Sequence, residues 1–248
     1  MEFIDNLSGG NTRRVLDFVT AFIGSAHVNA EKILNIAEES GRYTIPVHEF
    51  MRAVVFGDFE HYEPGASPIA NLFDISTPDG REHFLLGNAL AFIERSGDAT
   101  GNEGFVEAGR IHEFCQSLGF TPMQIEFGLR RAAMKKLIDS SPMFTEGQPS
   151  MYRITSAGAY TYKELPKYFA YVDAIIVDTP IVDPKARATI GNSQTIGERL
   201  DRMEVFRDYL HSQYMPLASK AVAFDWATLN QMLGLQVERV RKAQKRPT

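Results

Sequence analysis

The chain has 248 residues, 44% of them hydrophobic and 23% charged, which is ordinary globular material and excludes long disorder. A formal net charge of −5 excludes a protein that coats nucleic acid over its whole surface, because non-specific binding runs on phosphate neutralisation, but it leaves room for a local basic face. The single cysteine, Cys115, excludes an intrachain disulfide and argues against a Cys-based metal site, and no run reaches the roughly 18 apolar residues of a membrane span.

Elements are expected in the following order. Residues 1–80 read as a lid-like helical region and a connector. After Gly9-Gly10, Asn11 or Thr12 can cap a helix carrying Val15, Leu16, Phe18, Val19, Phe22 and Ile23 at helical spacing. Gly24-Ser25 ends it, Asn29 starts a second helix, and Gly41 stops that one, giving a helical hairpin. A short helix with Pro46 in its first turn follows. The stretch after Gly57 is rich in Pro and Gly, yet its aromatic anchors Phe59, Tyr62 and Phe73 make it too apolar for a free linker.

Residues 81–168 have the clearest plan. Helix A is expected over 82–95, a polar gap over 96–104, and helix B over 105–118, with Cys115 as a buried thiol beside Phe114 and Leu118. Thr121 as N-cap and Pro122 at the first helical position start helix C, which carries Ile125, Leu129, Ala132, Ala133, Leu137 and Ile138 on one side. A strand over 142–145, a turn at Glu146-Gly147-Gln148-Pro149 and a strand over 150–155 complete the order of a winged helix-turn-helix. Ile125, Leu129, Leu137 and Cys115 are expected in its core. Residues 169–248 read as C-terminal helices: an aromatic one broken by Pro180 and Pro184, then stretches over 198–214 and 219–246. The fold class is therefore mainly α with a small β-hairpin wing.

Ser8-Gly9-Gly10-Asn11-Thr12-Arg13-Arg14-Val15-Leu16-Asp17 resembles the sensor-2 start of the lid helix in AAA+ ATPases, especially origin-recognition-type initiators and STAND-like bacterial P-loop NTPases. The resemblance implies that Arg13 senses the terminal phosphates of ATP, a task suited to the planar fork of a guanidinium. It extends over Tyr43–Asp58, Ser67–Asp74, Tyr152–Gly158 and Tyr171–Ile181, and implies a lid plus a winged helix from the C-terminal part of such an NTPase. The sequence departs from that family in having no Gly-x4-Gly-Lys-Ser/Thr, and no Gly-Lys pair at all. No P-loop hydrolysis is expected on this chain, so an ATPase core would lie upstream or in a separate protein, or has been lost. The isolated chain is expected neither to bind ATP tightly nor to hydrolyse it.

Arg130, Arg131, Lys135 and Lys136 give helix C a basic face. Gln124 near its start could read a base edge, and Arg153 follows in the wing. The stretch from Phe105 to Lys167 holds eight basic and six acidic residues, so the bias is small, and the wing turn lacks Lys or Arg. Weak, non-specific contact with duplex DNA and a winged helix used for protein contact are both compatible with this pattern. The six histidines show no His-Glu-x-x-His spacing, and there is no Gly-x-Ser-x-Gly elbow, so no metal, no cofactor and no catalytic residue is expected. The expected function is a non-catalytic, regulatory and nucleic-acid-contacting region of an AAA+/STAND-like NTPase. The alternatives are a winged-helix protein-interaction module and a free-standing transcription regulator. With an acidic start that lacks a signal peptide's basic region, the expected compartment is the cytoplasm, with no membrane partner and with oligomerisation possible.

Overall fold

A computed structural model describes residues 2–41, 44–100, 103–141, 150–191 and 195–244. The described residues are mainly helical, with a small three-stranded antiparallel sheet. The N-terminal part holds α1 (Glu2–Ser8), α2 (Thr12–Gly24), α3 (Ala30–Ser40) and α4 (Val47–Phe56). The capping residues behave as their chemistry dictates. Asn11 Oδ1 accepts from Arg14 N at 3.2 Å, Asn29 Oδ1 accepts from Lys32 N at 2.8 Å, and Gly41 ends α3 in the left-handed region at φ 78°. Pro46 precedes α4 as its N-cap rather than sitting inside it.

A 3-10 helix (Gly80–Phe84) leads into α5 (Leu85–Thr100), then β1 (Val106–Glu107), α6 (Ala108–Ser117) and α7 (Pro122–Met134). β2 (Ile138–Ser140) and β3 (Met151–Ile154) follow, and the sheet order is β1-β3-β2. β3 is central, pairing Val106 with Tyr152 on one side and Ile138 with Ile154 on the other. Three expectations need correction. Helix A runs on to Thr100 instead of stopping at Arg95. Its Gly97 lets the backbone at Gly104 come so close that a Cβ there would lie 2.5 Å from the Gly104 carbonyl. The residues at 106–107 are strand, not the start of helix B.

Helix C ends at Met134 and does not reach Leu137 or Ile138. Lys136 turns the chain at φ 58°, and Lys136 N and Leu137 N donate to Ala133 O and Ala132 O at 3.0 and 2.8 Å. That is a helix stop of the Schellman type with lysine where glycine is usual, and it delivers Ile138 into β2. Lys135 and Lys136 therefore lie at and beyond the helix end, not on its face. The strand expected over 142–145 and the turn at 146–149 lie outside the described residues. Ile125, Leu129, Leu137 and Cys115 are all buried, as expected.

The C-terminal part holds α8 (Ser156–Lys163), a 3-10 turn (Leu165–Lys167), α9 (Phe169–Ile175), α10 (Pro184–Thr189), α11 (Ile196–Ala218) and α12 (Trp226–Gln244). One continuous core runs from Leu7 to Val237 and crosses residues 80 and 168, the two expected domain limits. At its centre Phe73, Phe84, Phe206 and Trp226 meet edge to face or tilted, with ring centroids 5.3 to 6.1 Å apart. These four rings come from all three expected regions. The connector enters this core directly. Ile69, Ala70, Asn71, Leu72 and Phe73 are buried, and Tyr171 Oη accepts from Leu72 N and donates to Ala70 O at 3.0 and 2.8 Å. Of its three expected anchors, Tyr62 and Phe73 are buried and Phe59 is exposed.

No helix among the described residues is long and apolar enough to cross a membrane.

Candidate functional site

α7 starts as its sequence requires. Thr121 Oγ1 accepts from Gln124 N at 3.3 Å, and Gln124 Oε1 accepts from Thr121 N at 2.8 Å, a reciprocal capping box. Ile125, Leu129 and Ala132 then enter the core one turn apart. The other side chains of this helix divide between two faces.

The first face looks onto the connector. Gln124 is 3% exposed, and its Nε2 donates to Thr77 Oγ1 at 2.8 Å and Glu82 Oε2 at 3.1 Å. Glu82 is itself buried. It accepts from the backbone N–H and hydroxyl groups of Ser76 and Thr77 as well, and these bonds hold its carboxyl below the usual range despite its burial. Every polar atom of the Gln124 side chain is thereby engaged inside the protein, and none is presented to a base edge. Arg131 pairs with the Asp74 carboxylate at 2.5 Å and with its carbonyl at 3.3 Å, and lies over the Phe127 ring at 5.4 Å. Burial raises the pKa of Asp74, and Arg131 opposes that rise. Lys135 Nζ donates to the carbonyls of Pro64 and Ser67, the latter at 2.6 Å, and burial lowers its pKa. Three of the expected nucleic-acid contacts are thus tied into residues 64–82 of the same chain.

The second face looks outward. Met123, Phe127 and Met134 are 69, 42 and 66% exposed, and Arg130 is exposed among them. At 100° per residue these four positions fall within about 60° of one another, so they form one stripe along the helix. The stripe was legible in the spacing 123, 127, 130, 134, but counting cations alone passes over it. Glu126, exposed beside it, is 3.1 Å from His112 Nε2.

The remaining candidates sit elsewhere. Arg153, in β3, lies over Phe105 at 4.7 Å and pairs with Asp139 across the sheet at 3.2 Å. Lys136 is exposed. Both line a hollow of about 460 Å³ together with Ser8, Gly9, Asn11 and Arg14, so the Gly9–Arg14 turn and the sheet end face a common space. Arg13 is exposed in the first turn of α2 and does not line this hollow among the described residues, whereas its neighbour Arg14 does. Cys115 is fully buried in α6, where burial pushes its thiol up to about 12, so it remains an inert thiol at neutral pH. No group of three or more metal-ligating side chains is present among the described residues.

No protein-family model matches the chain, and no curated protein or solved structure matches it either.

Proposed function

We propose that residues 85–154 are a winged helix-turn-helix used chiefly to contact protein. In this reading the chain is a non-catalytic regulatory region of the kind found beside AAA+/STAND-like NTPase domains. The order helix, short strand, helix, helix, strand, strand and the sheet order β1-β3-β2 support the winged-helix reading. The observation that carries the functional reading is the outward stripe Met123, Phe127 and Met134 on the helix that would enter a groove, with Gln124, Arg131 and Lys135 turned inward. Aromatic and methionine side chains are enriched at protein interfaces, and an apolar ridge is poorly matched to a phosphate-lined groove.

The test is a photo-crosslinker placed at Met123 or Met134 in the native host. Adducts destroyed by protease and indifferent to nuclease are expected, and nuclease-sensitive adducts would overturn the reading. Contact with duplex DNA is kept as a second reading because Arg130 and Lys136 remain exposed. It requires binding in the range of about 10⁻⁴–10⁻⁶ M at physiological salt. Arg130→Ala and Lys136→Ala should each then flatten the dependence of log K on log salt by about one.

A further inference from the structure

The junction of α4, α9, α11 and α12 encloses a cavity of about 470 Å³, away from α7 and its stripe. Phe169, Ala170, Ile196 and Val240 give it apolar walls, and Arg52 and Arg199 lie at its polar end. The charge at that end does not balance. Asp173 is 5% exposed, and its carboxylate is shared by two guanidinium groups: Arg199 through Nε at 2.8 Å and through a second nitrogen, and Arg202 at 2.6 Å. One carboxylate thus serves two arginines. Arg52 adds a third positive charge within the field of the same group, and its Nε is buried with no hydrogen-bond partner. Burial and the charge of Arg199 both lower the pKa of Arg52, which marks the excess of positive charge. Asp173 is the carboxylate whose charge acts on Arg52. Glu198 is engaged with the backbone at Thr195, and neither it nor Glu49 lines the cavity.

A half-buried donor without an acceptor, next to two arginines that share one acid, is costly unless a ligand supplies the missing anion. The volume is within the usual range for small-molecule sites, which are mostly apolar with a few convergent polar groups. We propose that this cavity binds a small organic anion, a carboxylate or phosphate monoester with an apolar body, whose charged end meets Arg52 and Arg199. Bound there, the ligand would join α4 of the N-terminal part to α11 and α12 of the C-terminal part.

The experiment is titration calorimetry and thermal unfolding of the full chain with four probes: octanoate, phenyl phosphate, octanamide and inorganic phosphate. Octanoate or phenyl phosphate should bind saturably at up to about 10 mM and raise the unfolding temperature. The neutral octanamide and the bodiless phosphate should each bind at least about tenfold more weakly, since a hydrogen bond to a charged group and the apolar contact each contribute about that much. Arg52→Gln should weaken the favoured probe by about ten- to a hundredfold while the chain stays folded. Val240→Trp, which keeps every charge and fills the cavity, should abolish binding. The proposal is overturned if neither anion binds by that concentration, if octanamide equals octanoate and phenyl phosphate equals inorganic phosphate, or if Val240→Trp binds like the parent.

Discussion

Acid should destabilise this protein through one buried side chain in particular. His83 is fully buried at the entry to α5. Its Nδ1 bonds to the Phe73 carbonyl, so that nitrogen carries the proton, and its Nε2 accepts from the Tyr209 hydroxyl at 2.8 Å. Tyr209 Oη in turn accepts from Val182 N at 3.2 Å. Protonation would bury a positive charge and force the Tyr209 hydroxyl to turn from donor to acceptor. Burial accordingly pulls its pKa from 6.5 down to about 4. With the folded value below the unfolded one, the unfolded chain binds the proton first. The contribution is complete above about pH 6.5, is lost as pH falls toward 4, and at about 1.4 kcal/mol per tenfold amounts to about 3 kcal/mol. At 2–4 °C per kcal/mol for a chain of this size, the unfolding temperature should drop by about 6–12 °C over that window. Asp178 runs the other way. Burial and the charge of Asp74 raise its pKa to about 6, so its partly solvated carboxyl is less unfavourable in acid. Comparing the parent with His83→Asn, whose amide can still donate to Phe73, cancels the effect of Asp178 and of every other carboxylate. Calorimetric scans from pH 7.5 to 4 should show the parent losing stability faster than the variant. Parallel curves would refute the assignment of a neutral, buried His83.

Two further outcomes test the packing. Gly158→Ala would place a Cβ 2.1 Å from the Leu137 carbonyl, a backbone oxygen that also accepts from Thr155. A loss of about 3 kcal/mol in urea unfolding is expected, the upper end of overpacking costs, and an unchanged midpoint would contradict the approach of α8 to the end of α7. Asn88 is buried in α5, and its Oδ1 accepts from Ala223 N and Phe224 N at 2.8 and 3.1 Å. Asn88→Leu strands both donors and should lose about 3 kcal/mol by the same measurement.

Helix starts were the most legible part of the sequence because each is decided within four residues. Asn11, Asn29 and Thr121-Pro122 cap the helices they were expected to cap. The end of α7 was not legible, since a lysine in the left-handed region is imposed by the backbone bonds to Ala132 and Ala133 and the strand that follows. Nor was β1, two residues long, whose extended form comes from β3 more than forty residues away in sequence. The inward turn of Gln124 depends on Glu82, forty-two residues earlier, and a polar residue beside a helix start carries no mark of which partner it will find.

The basic face of helix C shows how a sum of charges misleads. Counted along the sequence, Arg130, Arg131, Lys135 and Lys136 make four positive charges on one element. In the fold Arg131 is neutralised by Asp74, and Lys135 spends its donors on two carbonyls of residues 64–67. Arg153 is partly offset by Asp139. Of those four, Arg130 and Lys136 remain exposed, and a duplex meeting only those would release few counterions. The expected slope of log K against log salt is then about −2, against about −5 to −9 for proteins that make six to ten phosphate contacts. Affinity on this face must come from elsewhere, and what the helix offers instead is apolar: Met123, Phe127 and Met134, all exposed. With Ile125, Leu129 and Ala132 in the core and Gln124, Arg131 and Lys135 bonded to residues 64–82, the side of α7 left facing outward is the one that carries Met123, Phe127, Arg130 and Met134.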